Sequence, residues 1–164
     1  MNIEIVIADY QNPQHEHDIV MLLDAYAQDR MGGGEPLADF VKANLVPQLA
    51  QRDDAFSLLC YVNGEPAGLA NCFEGFSTFA CQPLLNIHDF TVHPKFRGHG
   101  LSQRLLNRIE SLAREKGCCK MTLEVLAENF VAQKAYSKYG FAPYQLNLQT
   151  GCALFWQKKL NNHF

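Results

Sequence analysis

The sequence predicts a single mixed α/β domain of the α+β kind, with a mostly antiparallel central sheet. Three observations carry this reading. Two strand-like runs, FSLLCYV and EPAGLANCFEGF, flank Asn63-Gly64, the pair favoured in a two-residue type I′ hairpin. Further on, strand-like runs alternate with two helical stretches, each followed by a glycine suited to end a helix. The chain has 164 residues, 48% hydrophobic and 19% charged, a globular composition long enough for one core.

Each element follows from local pattern. Residues 3–8 alternate as a first strand. Residues 17–30 place Ile19, Leu22, Leu23 and Tyr26 at helical spacing and stop at Gly32, Gly33 and Gly34. A second helix is expected over 37–49, interrupted near Pro47. The hairpin strands span 56–62 and 65–76, and LLNIHDFTV adds a strand at 84–92. A helix over 101–116 ends at Gly117, a strand is expected over 120–126, and a helix over 129–139 ends at Gly140. Two closing strands are expected at 144–148 and 152–160, around Thr150-Gly151. No linker, repeat or low-complexity segment divides the chain, so residues 1–164 read as one domain.

Composition excludes several classes of function. A formal charge of −3 and a pI near 6.0 argue against a nucleic-acid partner. The N-terminus lacks the basic and apolar regions of a signal peptide, and no apolar run approaches the ~20 residues of a membrane span. Cys60, Cys72, Cys81, Cys118, Cys119 and Cys152 form no C-x-x-C pair, and several lie in apolar runs. Buried free thiols in a reducing cytoplasm are the expectation. His15 and His17 lack a third ligand, so no metal site is expected.

The chemistry concentrates at HDFTVHPKFRGHGLSQRLL, residues 88–106. A strand stops at a proline, passes through Arg97-Gly98-His99-Gly100 and becomes an amphipathic helix. Glycines at a helix mouth bare backbone amides for an anion. No G-x-x-x-x-G-K-[ST] run exists, so a P-loop is excluded. A dinucleotide fingerprint fails as well, because Gln103 stands where the third glycine belongs. An ordinary strand-to-helix turn remains an alternative for the glycine pair taken alone.

Two linked motifs extend the reading. Residues 97–102, RGHGLS, resemble the R/Q-x-x-G-x-G/A acyl-CoA motif of the GNAT acetyltransferase superfamily, with Ser102 in place of the usual glycine or alanine. NFVAQKAYSKYGF, residues 129–141, resembles that superfamily's N-x-x-A-x-x-x-Y-x-x-x-G-F at every defined position. The resemblance runs from about Ile87 to Phe141. It implies a GNAT-type sheet with a splayed parallel strand pair, flanked by about four helices.

The resemblance also implies a cofactor and a site. Acetyl-CoA is the implied co-substrate, with the amides of Gly98, His99, Gly100, Leu101 and Ser102 on its pyrophosphate and Arg97 adding positive charge. The backbones of Phe90, Thr91 and Val92 would pair with the pantetheine arm, an addition of a strand by the cofactor. Asn129 is both a helix cap and, by resemblance, a cofactor contact. Tyr136 matches the tyrosine that faces the cofactor sulfur and can protonate the leaving thiolate. An aliphatic ammonium, with a pKa near ~10.4, needs a base before it can attack. Glu124 ranks first for that role and His88 second, with a water-mediated route as a third option; Asp89 points to the other strand face unless a bulge intervenes. Asp29, Glu35 and Glu74 are acids able to meet an ammonium, with Phe73, Phe76 and Tyr144 as candidate walls.

The function implied is transfer of an acetyl group to a primary amine of a small molecule. Alternatives are a protein N-terminal or lysine acetyltransferase, transfer of a longer acyl group, or a non-catalytic acyl-CoA sensor. A homodimer is expected only by analogy with the superfamily.

Overall fold

The computed structural model describes residues 1–160. Elements run β1 (Ile3–Ile7), α1 (Pro13–Gln28), α2 (Asp39–Leu49), β2 (Ala55–Val62), β3 (Glu65–Ser77), β4 (Gln82–Val92), α3 (Leu101–Glu115), β5 (Met121–Leu123) and α4 (Phe130–Tyr139). A single turn of 3₁₀ helix at Pro94–Phe96 links β4 to the glycine turn. The five strands lie in sequence order, the first three pairings antiparallel and β4 with β5 parallel. No helix among the described residues is long and apolar enough to cross a membrane.

The hairpin forms as its turn residues require. Asn63 and Gly64 both take positive φ, 51° and 82°, the backbone of a type I′ turn. Helix α1 begins four residues earlier than its apolar periodicity suggests. Pro13 occupies its first turn, and the Asn12 side chain accepts from the Gln14 amide at 2.9 Å. Helix α2 runs through Pro47 without interruption.

Each face of the sheet carries its own core. Leu58, Cys60, Ala70, Cys72, Leu85 and Ile87 pack against Leu101, Leu105, Leu106 and Ile109 of α3. Leu59 and Leu69 face the other way, onto Ile19, Leu22 and Leu23 of α1 and Val46 of α2. Alternation along the strands divides the apolar residues between the two layers. Burying each large aliphatic side chain contributes about 1.5–3 kcal/mol. Gly68 permits the close approach of α3: a Cβ there would lie 3.0 Å from Leu105 Cδ1 and 3.2 Å from the Thr91 carbonyl oxygen.

Two features of β4 shape the space between it and β5. Its ladder with β3 steps from Cys72↔Ile87 to Asn71↔Asp89, leaving His88 as an extra residue. This bulge inverts the facing: Ile87 and Phe90 both pack on the α3 core, while Asp89 and Thr91 turn toward α1. In addition, β5 pairs with β4 only from Leu85↔Met121 to Ile87↔Leu123. Beyond Ile87 the two chains part, and the β5-side edge of Phe90, Thr91 and Val92 is left without a ladder. This is the splayed pair expected from the resemblance, although β5 is three residues long instead of seven.

The two closing strands do not form. Only one isolated bridge, Gln145↔Cys152, joins residues 144–148 to 152–160. The Asn147 side chain accepts from the amides of Gln149 and Thr150, holding a turn. No sheet strand lies beside that turn, and a lone hairpin gains too little to order its ladder. Leu146, Leu148, Leu154, Phe155, Trp156 and Leu160 stand exposed as a result. Of the cysteines, Cys60 and Cys72 are buried as expected, Cys118 is half-buried, and Cys81, Cys119 and Cys152 are exposed.

Candidate active site

The parting of β4 and β5 opens a cavity of about 410 Å³ between the end of α1, the second half of β4, the start of α3 and the start of α4. Phe90, Thr91, Val92, Arg97, Gly98, Leu101, Ser102, Asn129 and Tyr136 all line it. The structure thus gathers most of the residues singled out in the sequence, from three separate elements, around one space. His99 and Gly100 complete the turn at its mouth without lining it. Glu124 and His88 stand outside.

The glycine turn has the backbone features of an anion cradle. Gly98 and Gly100 have φ of 82° and 73°, left-handed values that glycine adopts without strain. A Cβ at either would meet nothing within 4 Å, so the space beside the turn is open. The first amides of α3 have no intrahelical acceptor. Among the described residues, the N–H groups of Gly98, His99, Gly100, Leu101 and Ser102 donate to no acceptor outside the helix. These donors, at the positive end of α3, suit a phosphate group.

Arg97 is already engaged. Its Nε donates to the Val92 carbonyl at 3.0 Å and its guanidinium reaches Asp29 Oδ2 at 3.3 Å. The Met31 amide, and beyond it Arg97, hold the Asp29 carboxyl below the usual carboxylate range. Both partners are partly exposed, so this pair adds little stability. Its effect is positional: it ties the end of α1 to the cradle.

At the inner end lies Tyr136, half-buried on α4. Its ring meets Phe90 edge-on at 5.8 Å and Phe141 at 6.0 Å between centroids. Burial, then the neighbouring Tyr26 phenol, push the Tyr136 hydroxyl up to about 12. Helix α4 is fixed by Asn129 Oδ1, which accepts from the Ala132 amide at 3.2 Å, and by Gln103 Nε2, which donates to the Ala135 carbonyl at 3.1 Å. Gln103, the residue that breaks the dinucleotide fingerprint, therefore docks α3 to α4.

Neither base candidate lines the cavity. Glu124 is exposed just beyond the end of β5. His88, the bulged residue, is exposed with its ring edge-on to Phe73 at 5.4 Å. Of the acids weighed for meeting an ammonium, Asp29 lines the cavity; Glu35 is exposed, and Glu74 pairs with Lys116 at 3.4 Å. Phe76 and Tyr144 are exposed and do not line the cavity, and Phe73 packs beneath Arg52. Tyr26 is legible in the sequence only as a core position of α1, yet it lines the cavity.

Comparison with known proteins gives the family and the fold. The model of the acetyltransferase (GNAT) family matches residues 19–141. The chain is 33% identical over 94 residues to an uncharacterized N-acetyltransferase of Methanocaldococcus jannaschii, covering 57% of this chain and 42% of that protein. It therefore spans less than half the length of that relative. It is 28% identical over 120 residues to the aminoglycoside N(6')-acetyltransferase type 1 of Stenotrophomonas maltophilia, covering 71% and 78% of the two chains. Among solved structures, AAC(6')-Iy with a bisubstrate analogue superposes with a TM-score of 0.75 at 19% identity, covering 98% of this chain and all of that one. At that identity the likeness is one of fold.

Proposed function

This chain belongs to the acetyltransferase (GNAT) family, and on that premise we propose that it transfers the acetyl group of acetyl-CoA to a primary amine of a small molecule. The observation that carries the proposal is that one cavity is lined both by residues of the glycine turn, whose amides have no acceptor among the described residues, and by Tyr136. The names of relatives favour a small acceptor: aminoglycoside, streptothricin and thialysine acetyltransferases are among them. A protein amine is the second reading, on the structural likeness to a ribosomal-protein-alanine N-acetyltransferase from Brucella melitensis at 17% identity.

The residues present fit the proposed co-substrate. Gly98, Gly100 and the first amides of α3 would hold the pyrophosphate, with Arg97 exchanging its Asp29 contact for a phosphate oxygen. The unladdered edge of Phe90 and Thr91 offers backbone groups to the pantetheine arm, whereas the Val92 carbonyl is shared with Arg97. Bound acetyl-CoA supplies an activated thioester. Tyr136 holds a proton through the neutral range and can deliver it to the departing sulfur.

The test is thermal unfolding with acetyl-CoA, NADH and ATP in parallel. At about a hundred times its dissociation constant a ligand adds ~2.7 kcal/mol to the native state, a clear rise in midpoint. Selective stabilisation by acetyl-CoA is expected. A response to NADH alone, or none, would remove the acetyltransferase reading.

We also propose a homodimer, supported by the row of exposed apolar residues between Leu146 and Leu160. Sedimentation at micromolar concentration should give twice the chain mass of 18.5 kDa, and a monomer would refute it.

A further inference from the structure

A second tyrosine lines the cavity of Tyr136. Tyr26 comes from the last turn of α1, Tyr136 from α4. The Tyr26 ring packs with the aliphatic core between α1 and the sheet. Neither phenol oxygen makes a hydrogen bond among the described residues. No buried side-chain oxygen of those residues lacks a partner, so both hydroxyls reach open space. The open space that the two side chains share is the cavity. They also stand close together, for the Tyr26 phenol helps to raise the pKa of Tyr136.

The turn that carries Tyr26 is held from several sides. The Asp29 amide donates to the Tyr26 carbonyl at 3.0 Å, and the Gly34 amide donates to the Ala27 carbonyl at 2.9 Å. Between them the chain doubles back so tightly that a Cβ on Gly32 would lie 1.9 Å from the Tyr26 carbonyl oxygen. Asp29 ties the same turn to Arg97 beside the cradle. The run MGGGEP, legible in the sequence only as a helix stop, thus clamps the end of α1. Burial, then the charges of Asp89 and Asp29, push the Tyr26 pKa up, so the phenol keeps its proton through the neutral range.

A thioester offers its neighbours three atoms. The sulfur is already matched with Tyr136, and the carbon must stay open to the amine. A phenol beside the attacking nitrogen would compete for the lone pair that makes the new bond. The carbonyl oxygen remains, and it gains negative charge as the amine adds, so a fixed donor there acts most strongly in the transition state. We propose that Tyr26 donates a hydrogen bond to the thioester carbonyl oxygen and stabilises the charge that develops on it, with Gly32 as a positioning residue that sets the phenol. This inference rests on the acetyltransferase reading. The deprotonated amine forms the C–N bond, and the carbonyl π pair moves onto the oxygen held by Tyr26, which keeps its proton. That pair returns as the C–S bond breaks, and the sulfur takes the Tyr136 proton. The amide nitrogen loses its extra proton to water, from which Tyr136 regains its own. One amide and one thiol result, with the proton that the ammonium gave up.

The experiment compares wild type with Tyr26→Phe, Tyr136→Phe, Gly32→Ala and the double variant of Tyr26→Phe with Gly32→Ala. Tyr26→Phe keeps the ring and breaks no hydrogen bond within the described residues, so the fold should persist. It should lower kcat with an aliphatic amine by about 100-fold, while stabilisation by acetyl-CoA remains. Infrared spectra of acetyl-CoA labelled at the carbonyl carbon, bound without acceptor, report the contact directly. A hydrogen bond lowers the carbonyl stretch, so Tyr26→Phe should raise the bound frequency and Tyr136→Phe should leave it in place. Gly32→Ala should lower kcat by about tenfold through displacement of the phenol, and cause no further loss once Tyr26 is Phe. An unchanged kcat or an unchanged carbonyl frequency in Tyr26→Phe would overturn the assignment. So would a Gly32→Ala loss as large without the phenol as with it. Failure of the underlying reading looks different: wild type itself would not be stabilised by acetyl-CoA.

Discussion

Tyr136→Phe is expected to lower turnover by about a hundredfold to a thousandfold while leaving the affinity for acetyl-CoA nearly unchanged. The substitution removes one oxygen and keeps the ring, so the edge contacts with Phe90 and Phe141 survive. No hydrogen bond to a protein group is lost, since none is formed by the Tyr136 hydroxyl among the described residues. What disappears is a proton donor at the end of the cavity.

The direction of its pKa makes this specific. Burial raises the phenol to about 12, so the protonated form persists as pH rises and is lost only as pH approaches that value. A basic limb in the wild-type profile near neutrality therefore cannot belong to Tyr136. Steady-state kcat and a direct measurement of acetyl-CoA binding decide the matter. Equal turnover in the variant, with an aliphatic amine as acceptor, would refute the acid role.

Gly100→Val carries the second large effect: acetyl-CoA binding should weaken by at least about 100-fold, a loss of about 2.7 kcal/mol or more. Two costs combine. A β-branched residue at φ 73° is strained by roughly 1–2 kcal/mol. Its side chain would also occupy open space at the turn, and a phosphate held on the backbone there tolerates no bulky neighbour. Gly117→Val separates these costs. Gly117 has nearly the same backbone, φ 71°, and an equally open Cβ direction, but it lies at the opposite end of α3. It should destabilise the fold similarly and leave stabilisation by acetyl-CoA intact. Equal loss of binding in both variants would mean that the cradle acts only through strain.

Much of the fold is legible because its signals are local. Asn63-Gly64, Gly117 and Gly140 all take the positive φ that their positions demand. Helix α3 follows its apolar spacing from Leu101 to Ala113. The start of α1 escapes apolar periodicity, which begins only at Ile19, although Asn12-Pro13 carries a capping signal. The closing strands fail for another reason. Alternating apolar residues there promise a strand, but a strand needs a neighbour, and β5 is too short to supply one to that segment.

By itself the sequence marked the proposed cofactor half of the candidate site: the glycine turn, Asn129 and Tyr136 lie in two motifs within one continuous stretch, and their roles follow from the resemblance those motifs carry. Tertiary structure alone decided which distant polar residues meet in the sheet. Tyr10, Ser57, Asn71 and Asp89 come from the turn before α1, the hairpin strands and β4, and each alone looks like an ordinary polar residue in an apolar run. A one-residue bulge at His88 decides which of two adjacent side chains faces α1. Facing has period two along a strand, so a single extra residue reverses it, and only strand pairing reveals where that residue lies.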